Sequence, residues 1–519
     1  MLSAILKNLA MNINSDIDYF ESVDITKEKE FPLFLKNIKF EKFRHIPSLD
    51  IEFKNPISVI SGTNRSGKTT ILMAIACSHL NFLKRNPKNG NLERNTWSSL
   101  MKLTSHDKQT EDWTYYITYK KGNKVEKPKR GQRKALTNKW NGIGKKESQF
   151  DFRDIVFIDL DRVVPARFFN DKLFAEAKKG ILENVSDKNI NKIEQYLSYI
   201  LEEKFTLNSL AKVNDKDVFK YKNKYEYSSF NTATGEDVLT RIIIDIVEAK
   251  EKSLILIDEV EMGLHPKIQR RLIDVIRNIS RQDQKQFIVT SHSSTILDAI
   301  NSSSRIFIEK SNSGEYKAIQ NISVNAALTK MDAKSFPLVE LFCEDNEARK
   351  IVEKGIKNVA EKHKLNNFKE LFNIISVGSA DKTFRCFEAQ KLMYNLRKIK
   401  VGFGCVLDGD MKLVKNSAGK YSFPEQEELH FLFSNECPEK FLTKIYLEKH
   451  PNTTIQYYFD NENPHFLFQA IIDNSEFSTK QEIFEVCWKY FVESENGKIY
   501  LEELTEFLLN LALKYSPDL

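Results

Sequence analysis

One short motif constrains this chain of 519 residues more than any other feature. Residues 62–69, GTNRSGKT, fit the phosphate-binding pattern G-x-x-x-x-G-K-[ST]. The β-branched run ISVI before the motif predicts a strand, and the apolar run after Thr70 predicts a helix. A loop that joins a strand to a helix N-terminus offers backbone N–H groups to an anion. The motif therefore predicts an α/β fold that binds phosphate groups.

The residue types in this loop predict how ATP and Mg²⁺ would be held. The two glycines let the backbone approach the phosphates closely. Lys68 is expected to reach the β- and γ-phosphates, and Thr69 to hold Mg²⁺ through its hydroxyl. The expected phosphate-binding residues are Gly62, Asn64, Arg65, Ser66, Gly67, Lys68, Thr69 and Thr70.

Length and composition bound the class of protein. A chain of this length predicts two or three domains, and a net charge of +6 permits a local basic face without demanding nucleic acid. The six cysteines are scattered without a C-x-x-C pair, which argues against a zinc site and favours a reducing, cytoplasmic location. No apolar run approaches the roughly 20 residues of a membrane span, and the N-terminus lacks a signal-peptide cleavage site.

A second apolar run predicts the other half of the nucleotide site. Residues 253–259, SLILIDE, end in two carboxylates, and a continuous apolar run is typical of a strand buried on both faces of a parallel sheet. Asp258 is expected to hold the Mg²⁺ shell, and Glu259 to orient or deprotonate the attacking water.

Three neighbouring motifs strengthen this interpretation. The segment EMGLHP, residues 261–266, follows directly. His292 lies at the end of the next apolar run and is expected to contact the γ-phosphate and to sense its loss. Upstream, Thr234, Gly235 and Glu236 open a predicted helix, so that a hydroxyl, a glycine and a helix N-terminus form another anion site.

These motifs, in this order, resemble the ABC-type ATPases of DNA maintenance, a group that includes the RecF- and SMC-like proteins. The pair Phe43–Arg44 precedes the strand that leads into the phosphate-binding loop and belongs to the same pattern. The resemblance implies that residues 234–236 complete the ATP site of the opposite subunit, and so a homodimer or higher homo-oligomer of ATPase heads. Thr234 stands where the family usually has Ser, and Gln109 is the candidate for the family's Q-loop glutamine.

The region between the two halves of the site carries less information. We expect residues 84–150 to be irregular, apart from a strand over Trp113–Tyr119, and residues 171–212 to form a helical insertion. The run 120–139, KKGNKVEKPKRGQRKALTNK, is dense in Lys and Arg. It fits either a solvated loop or a contact with the phosphate backbone of nucleic acid, and the sequence leaves both interpretations open.

From Pro337 a second pattern of alternating strands and helices predicts a small parallel α/β unit. Glu344 ends one of its strands, and Asp408 and Asp410 end another. Converging carboxylates repel one another unless cations lie between them, so they predict one or two Mg²⁺ ions that activate water against a phosphodiester. The alternative is a pair of acidic surface turns. Glu347 competes with Glu344 as a metal ligand.

This arrangement resembles a Toprim domain, and an ABC-type ATPase followed by a Toprim domain resembles the OLD (overcoming lysogenisation defect) nucleases, over roughly residues 35–445. Asp345 departs from the family pattern, which has Gly there, and Pro438–Glu439 matches its turn before a helix. The family's nuclease lysine is unassigned, with Lys440 a guess. The resemblance implies an ATP-gated DNA endonuclease that uses Mg²⁺ or Mn²⁺ in defence against bacteriophage, beside a partner such as a reverse transcriptase with its retron DNA.

The expected organisation is an N-terminal arm (1–34), an ATPase domain (35–330), a Toprim domain (335–445) and a helical C-terminal region (446–519). Two alternatives remain open. The first is a non-nucleolytic SMC- or RecF-like ATPase that clamps DNA, whose activity would not depend on Asp408. The second is a Toprim nuclease that acts on RNA.

Overall fold

The computed structural model describes residues 12–85, 92–104, 106–107, 109–164, 166, 171–183, 185, 189–213, 216–311, 313–332, 336–365, 367–397 and 400–516. Residues 1–11 of the expected N-terminal arm lie outside the described residues. The chain divides into two compact units, one up to Ala327 and one from Leu328. Within the described residues, no helix is both long and apolar enough to cross a bilayer.

The first unit contains seventeen strands and eight helices among its described residues. The boundary between the two units falls within a ninth helix, Val324–Asp332. The strands are β1 (Leu33–Lys42), β2 (Leu49–Glu52), β3 (Ile57–Gly62), β4 (Phe82–Arg85), β5 (Leu92–Arg94), β6 (Trp113–Lys121), β7 (Lys124–Val125), β8 (Lys129–Arg133), β9 (Trp140–Gly142), β10 (Ile155–Ile158), β11 (Thr206–Val213), β12 (Lys216–Lys222), β13 (Glu226–Ser228), β14 (Leu254–Ile257), β15 (Gln286–Thr290), β16 (Arg305–Lys310) and β17 (Tyr316–Gln320). The helices are α1 (Ile13–Ser22), α2 (Lys68–Ala76), α3 (Trp97–Leu100), α4 (Asp171–Ala177), α5 (Ile190–Leu201), α6 (Thr234–Glu248), α7 (Pro266–Asp283), α8 (Ser294–Asp298) and α9 (Val324–Asp332).

An eight-stranded sheet in the order β17-β16-β3-β15-β14-β10-β4-β5 forms the centre of this unit. Its inner strands from β16 to β4 are parallel, whereas β17 and β5 pair antiparallel at the two edges. Every residue of β3 and β14 is buried, which explains their continuous apolar runs. The strand and the helix predicted on either side of the phosphate-binding loop are confirmed as β3 and α2. Because the strands are parallel, the segments after β3, β14 and β15 meet at one edge.

The basic run 120–139 belongs to a second, antiparallel sheet, β2-β1-β6-β8-β9 with β7 beside β6. The expectation of an irregular segment was therefore wrong here, since β7 and β8 lie within the run. Gly131 looks like a chain breaker, but its lack of a side chain makes room for a ring: a Cβ there would lie 2.3 Å from Cζ of Tyr115.

The predicted insertion is helical only in its first part. Helices α4 and α5 are followed by a three-stranded antiparallel meander, β11-β12-β13. The prediction of helix up to residue 212 was wrong because Leu207, Ser209 and Ala211 are buried in alternation with their neighbours. This period of two is that of a strand.

The second unit is built on a four-stranded parallel sheet in the order β19-β18-β20-β21. Its strands are β18 (Val339–Cys343), β19 (Phe372–Ser376), β20 (Gly402–Leu407) and β21 (Leu429–Phe431). Its helices are α10 (Asn346–Lys362), α11 (Ala380–Tyr394), α12 (Pro438–Lys449), α13 (Thr453–Asn461), α14 (Leu467–Asp473), α15 (Lys480–Glu493) and α16 (Glu495–Tyr515).

The C-terminal helices of this unit pack closely on the α/β part. A Cβ on Gly355 of α10 would lie 2.8 Å from side-chain atoms of Leu504 and Leu508 in α16. A Cβ on Gly404 of β20 would lie 2.5 Å from the side chain of Leu511. These glycines allow α16 to lie directly against α10 and the sheet, so the helix completes the apolar core.

Candidate functional site

The phosphate-binding loop connects β3 directly to α2. Gly62 has φ +152°, and a Cβ there would lie 2.6 Å from the carbonyl oxygen of Ile308. Gly67 has φ +93°, a conformation that other residues rarely adopt. Lys68 Nζ donates to the carbonyl oxygens of Gly62 and Thr63 at 3.0 and 3.1 Å, so the loop is wrapped around its own lysine.

One unsatisfied donor in this loop, the hydroxyl of Ser66, fits a phosphate ligand. The hydroxyl of Ser66 is buried and has no hydrogen-bond partner among the described residues, although buried polar groups are normally paired. Burial lowers the pKa of Lys68, which an anion would offset. Asn64 and Arg65 are exposed at the tip of the loop. The residues present therefore fit ATP, with phosphate oxygens as partners for these donors.

Asp258 connects three strand or helix ends at the edge of the large sheet. Its Oδ2 accepts a hydrogen bond from the hydroxyl of Thr69 at 2.9 Å, and its Oδ1 accepts one from the hydroxyl of Thr290 at 2.6 Å. Asp258 is buried. The hydroxyl and the carboxylate expected to hold Mg²⁺ are thus in direct contact, and oxygen donors of this kind suit that ion.

Glu259 follows in the left-handed backbone region, which residues other than glycine rarely adopt. Its φ is +46°, and its backbone N–H donates to the hydroxyl of Thr290 at 2.7 Å. Burial, together with the carboxylates of Asp258 and Glu261, raises the pKa of Glu259. A carboxylate with a raised pKa is better suited to take a proton from water at neutral pH.

His292 follows β15 on the same edge. Its backbone N–H donates to Oε1 of Glu261 at 2.5 Å. Burial and the nearby Lys68 ammonium lower the pKa of the imidazole, which favours its neutral form. A neutral imidazole can donate a hydrogen bond from one ring nitrogen to a phosphate oxygen.

Arg162 is a residue of this site that the sequence did not reveal. It lies in the short turn Leu160–Val163 after β10, and its guanidinium donates to the carbonyl oxygens of Asp258 at 2.9 Å and Glu259 at 2.6 Å. Burial lowers its pKa. Arg162 therefore fixes the backbone that carries both carboxylates. No motif marks it, because its role depends on the pairing of β10 with β14.

The segment 234–236 opens helix α6 and packs against the loop after Glu259. A Cβ on Gly235 would lie 2.3 Å from the carbonyl oxygen of Gly263, so only glycine fits. The carboxylate of Glu236 accepts hydrogen bonds from the hydroxyls of Tyr227 and Thr232. These contacts hold the helix N-terminus in a fixed position, as an anion site requires.

Two further sequence candidates have clear positions. Arg44 has φ +54°, and its guanidinium donates to the hydroxyl of Thr70 at 3.4 Å, which connects it to α2. Gln109 instead donates to the carbonyl oxygens of Glu111 and Arg133 at 2.8 and 2.9 Å. Within the described residues, none of the hydrogen bonds of Gln109 reaches the phosphate-binding loop.

In the second unit, Glu344, Asp408 and Asp410 come together as the sequence predicts. Glu344 follows β18 and Asp408 follows the adjacent β20, and the backbone N–H of Asp408 donates to Oε1 of Glu344 at 2.7 Å. Asp410 lies in the short turn Gly409–Leu413. All three line one cavity of about 760 Å³, which we call the carboxylate cavity.

The carboxylates of this cavity are poorly satisfied by the protein. Oδ1 of Asp408 and Oδ1 of Asp410 are buried without a hydrogen-bond partner among the described residues. Burial and the neighbouring carboxylates raise the pKa of Asp408 to about 9, and burial with Asp410 raises the pKa of Glu344 to about 7. Buried carboxylates with free oxygens fit a divalent cation, which would replace the bound protons.

A second group of possible ligands adjoins the first. One ligand atom each from Asp345, Glu439 and His465 lie within 4.8 Å of one another. Oε1 of Glu439 is 2.8 Å from Nδ1 of His465, whereas its Oε2 is buried without a partner among the described residues. The sequence showed Glu439 only as part of a turn, and His465 carried no signal because it lies in the C-terminal helical region.

Glu347 and Lys440 have other partners. Oε1 of Glu347 accepts from Lys350 Nζ at 2.8 Å, and burial raises the pKa of Glu347. Lys440 Nζ is 3.7 Å from Oε1 of Glu436. Among the described residues that line the carboxylate cavity, His465 is the single basic side chain.

Comparison with protein families gives one match, over residues 116–298, to the family described as "AAA domain, putative AbiEii toxin, Type IV TA system". The matched range begins after the phosphate-binding loop and includes Asp258, Glu259 and His292. It covers less than half of the chain. Together with the loop and the parallel sheet, the match identifies the first unit as a P-loop domain of the ATPase type.

Curated relatives match a short stretch. DNA replication and repair protein RecF from Francisella tularensis subsp. novicida (strain U112) and from subsp. tularensis (strain SCHU S4) is 44% identical over 43 residues. The match spans 8% of this chain and 12% of the length of those relatives.

Among solved structures, the chain is similar to the SMC head domain from Thermotoga maritima at 13% identity and a TM-score of 0.34, over 55% of this chain and 98% of that one. The recombination mediator protein RecF with ATPγS in the RecFOR pathway gives 14% identity and a TM-score of 0.33, over 56% and 98%. An Smc head domain derived from Pyrococcus furiosus gives 11% identity and a TM-score of 0.37, over 57% and 98%.

Proposed function

We propose that this chain is an ATP-gated, metal-dependent DNA endonuclease of the OLD family, with the second unit as its Toprim domain. The observation that supports the proposal most is the carboxylate cavity. Asp408 and Asp410 each have a buried oxygen without a partner among the described residues, and burial raises the pKa of both side chains. Carboxylates in acidic surface turns would be solvated and would have neither property. They are the properties of a site that needs cations to be complete.

In the nuclease unit, Glu344, Asp408 and Asp410 hold Mg²⁺ or Mn²⁺, and Asp345 with Glu439 offers oxygens for a second cation. When bound, such a cation activates water and neutralises charge on the phosphodiester. The protein itself fixes the ligand geometry, because the backbone N–H of Asp408 holds the carboxylate of Glu344.

In the ATPase unit, Lys68 binds the β- and γ-phosphates, and Thr69 with Asp258 holds Mg²⁺. Glu259 orients and deprotonates water, and neutral His292 contacts the γ-phosphate. Residues 234–236 act on the ATP of a second copy of the chain, so the gate requires a homodimer or a higher homo-oligomer. ATP binding and release then control access of DNA to the nuclease unit.

The biological role that fits is defence against bacteriophage, in the cytoplasm. The toxin–antitoxin description of the matching family is compatible with a nuclease that acts only on a trigger. A reverse transcriptase with its retron DNA is the partner we propose. The 43-residue match to RecF, a DNA replication and repair protein, is compatible with one rival function, a non-nucleolytic ATPase that clamps DNA.

Cleavage of plasmid and linear DNA by the purified chain tests the proposal, with Mg²⁺ or Mn²⁺ and with or without ATP. Asp410→Asn is expected to lose cleavage and to keep ATP hydrolysis. Asp381→Asn is the matched control, since Asp381 lies at the same cavity but is exposed. Lys68→Ala shows whether ATP activates or restrains cutting.

Equal activity of wild type and Asp410→Asn would refute the nuclease assignment. ATP hydrolysis and DNA binding without any cutting, with phage-infected extract added, would favour the clamp. An RNA substrate in parallel tests the remaining alternative, since preferential cutting of RNA would replace DNA as the substrate.

A further inference from the structure

An exposed hairpin follows directly after Asp408 and Asp410 of the carboxylate cavity. Lys415 and Tyr421 form an antiparallel bridge, and the backbone N–H of Asn416 donates to the carbonyl oxygen of Lys420 at 2.8 Å. Every residue from 412 to 421 is exposed. Phe423 at the base of the hairpin is buried in the core of the unit, so the hairpin is an anchored projection.

The base of this hairpin forms part of the carboxylate cavity. Met411, Val414, Ser422 and Phe423 line the cavity together with Asp408 and its neighbouring carboxylates. A substrate bound at those carboxylates would therefore lie close to the base of the hairpin. The position alone gives the hairpin access to whatever the cavity binds.

The charge of the hairpin is opposite to that of the cavity. Its sequence, KLVKNSAGKY, has three lysines, Lys412, Lys415 and Lys420, and no acidic residue. None of these lysines forms an ion pair with another described residue. The cavity wall is acidic, with His465 as its single basic side chain among the described residues. A polyanion is repelled by such a wall until cations bind, and the nearby lysines supply compensating charge.

Exposed apolar and aromatic side chains accompany these lysines. Tyr421 is 52% exposed and Leu413 is 57% exposed, and the Lys415 ammonium lies 5.3 Å from the centre of the Tyr421 ring. An accessible ring next to cations is the combination with which proteins bind single-stranded nucleic acid, because unpaired bases stack on the ring while phosphates contact the lysines. In a duplex the bases are already stacked and do not reach such a ring.

We propose that the hairpin 412–421 binds single-stranded DNA and holds it over the carboxylate cavity. The lysines contact successive phosphates, and Tyr421 stacks on one base. The proposal rests on the proposed nuclease function for the fate of the strand, but the binding step needs neither metal nor cleavage. It implies that the preferred substrate has an unpaired segment, such as a flap, a gap or a frayed end.

The test measures binding of the full chain to a fluorescent single-stranded oligonucleotide, by anisotropy in EDTA, over a range of salt concentrations. A triple variant, Lys412→Gln, Lys415→Gln and Lys420→Gln, is expected to bind at least about tenfold more weakly. The slope of log affinity against log salt should become less steep by about 2, from three lost phosphate contacts. The control is a triple Gln variant at Lys357, Lys444 and Lys449, exposed lysines of the same unit, with the same net charge.

Tyr421→Ala separates stacking from charge. It is expected to lower the affinity for single strands about tenfold without changing the salt slope, and to leave duplex binding unchanged. Tyr421→Phe should restore the affinity. The proposal is overturned if the hairpin lysine variant binds like wild type, if the control triple loses as much, or if Tyr421→Ala weakens duplex binding equally.

Cleavage of the same oligonucleotide in Mg²⁺ distinguishes the two proposals. Hairpin-dependent binding without any cleavage would support the hairpin and count against the nuclease. Cleavage that depends on Asp410 but proceeds with unchanged affinity in the hairpin variants would support the nuclease and overturn the hairpin. Asp410→Asn itself should bind the strand at least as well as wild type, since it removes a negative charge.

Discussion

The nucleotide site and the carboxylate cavity both place an aspartate at the carboxyl end of a parallel strand, but the protein satisfies only one of them. Both carboxylate oxygens of Asp258 accept hydrogen bonds, from Thr69 and Thr290. Oδ1 of Asp408 is buried and has no partner among the described residues. The same position in a sheet therefore holds an aspartate with both oxygens hydrogen-bonded in one unit, and an aspartate with a buried, unpaired oxygen in the other.

The residues around Asp258 and Asp408 also differ in charge. Arg162 donates to the carbonyl oxygens of Asp258 and Glu259, which fixes the backbone that carries both carboxylates. In the carboxylate cavity the neighbours of Asp408 are further acids, and its pKa rises to about 9. The comparison teaches that hydrogen bonds within the chain hold Asp258 in place, whereas Asp408 and Asp410 each keep a buried carboxylate oxygen without a partner among the described residues.

The largest expected effect tests the nucleotide site. Glu259→Gln should lower ATP hydrolysis about 10²–10⁴-fold, because it removes a general base, while nucleotide affinity stays within a few-fold of wild type. Phosphate release and nucleotide titration measure the two quantities. Glu251→Gln, an exposed residue before β14, is the control. Unchanged hydrolysis in Glu259→Gln would remove Glu259 from the mechanism.

The main features of both sites were predictable because they are local in sequence. The strands that precede Asp258 and Asp408 are each predicted by an apolar run that ends in an acidic residue. The loop from Gly62 to Thr69 carries its own flanking strand and helix. Once parallel pairing is assumed, these ends must meet at one edge, so chemistry and topology reinforce each other.

The rest depended on contacts between distant segments. Arg162 reaches Asp258 across the pairing of β10 with β14, and His465 reaches Glu439 across 26 residues. Nothing in the local sequence marks either residue. The error at β8 has a similar cause, since Gly131 reads as a loop signal until the ring of Tyr115 is placed against it.

The second prediction compares the contributions of Asp408 and Asp258 to the free energy of unfolding. Because burial raises the pKa of Asp408 and Glu344, the folded chain retains protons that the unfolded chain releases. The free energy of unfolding without metal should therefore fall as pH rises from about 4 towards about 9. Mg²⁺ should stabilise the protein increasingly over the same window, by about 2.7 kcal/mol at a hundredfold excess over its Kd.

Thermal unfolding in EDTA and in Mg²⁺, at pH about 6 and about 8, measures both effects. Asp408→Asn should stabilise the metal-free protein at the higher pH and reduce the response to Mg²⁺. Asp258→Asn should destabilise it instead, because one threonine hydroxyl loses its acceptor. Destabilisation by both substitutions in EDTA would show that the cavity is as well satisfied as the nucleotide site, and the comparison would fail.

The smallest expected effect concerns the pairing of Glu439 with His465, which is the single basic side chain among the described residues that line the carboxylate cavity. The hydrogen bond that the His465 imidazole donates to the Glu439 carboxylate raises the pKa of His465, so the ion pair is present below the ordinary histidine pKa and is lost as pH rises through the folded value. Glu439→Gln should lower the His465 pKa towards about 6.5, as followed by NMR of the ring protons.

The control is Glu436→Gln, which removes the partner of Lys440 and should leave the pKa of His465 unchanged. If Glu439→Gln did not shift this pKa, the imidazole would be governed by the other acids of the cavity, and the two ligand groups would behave as one coupled centre.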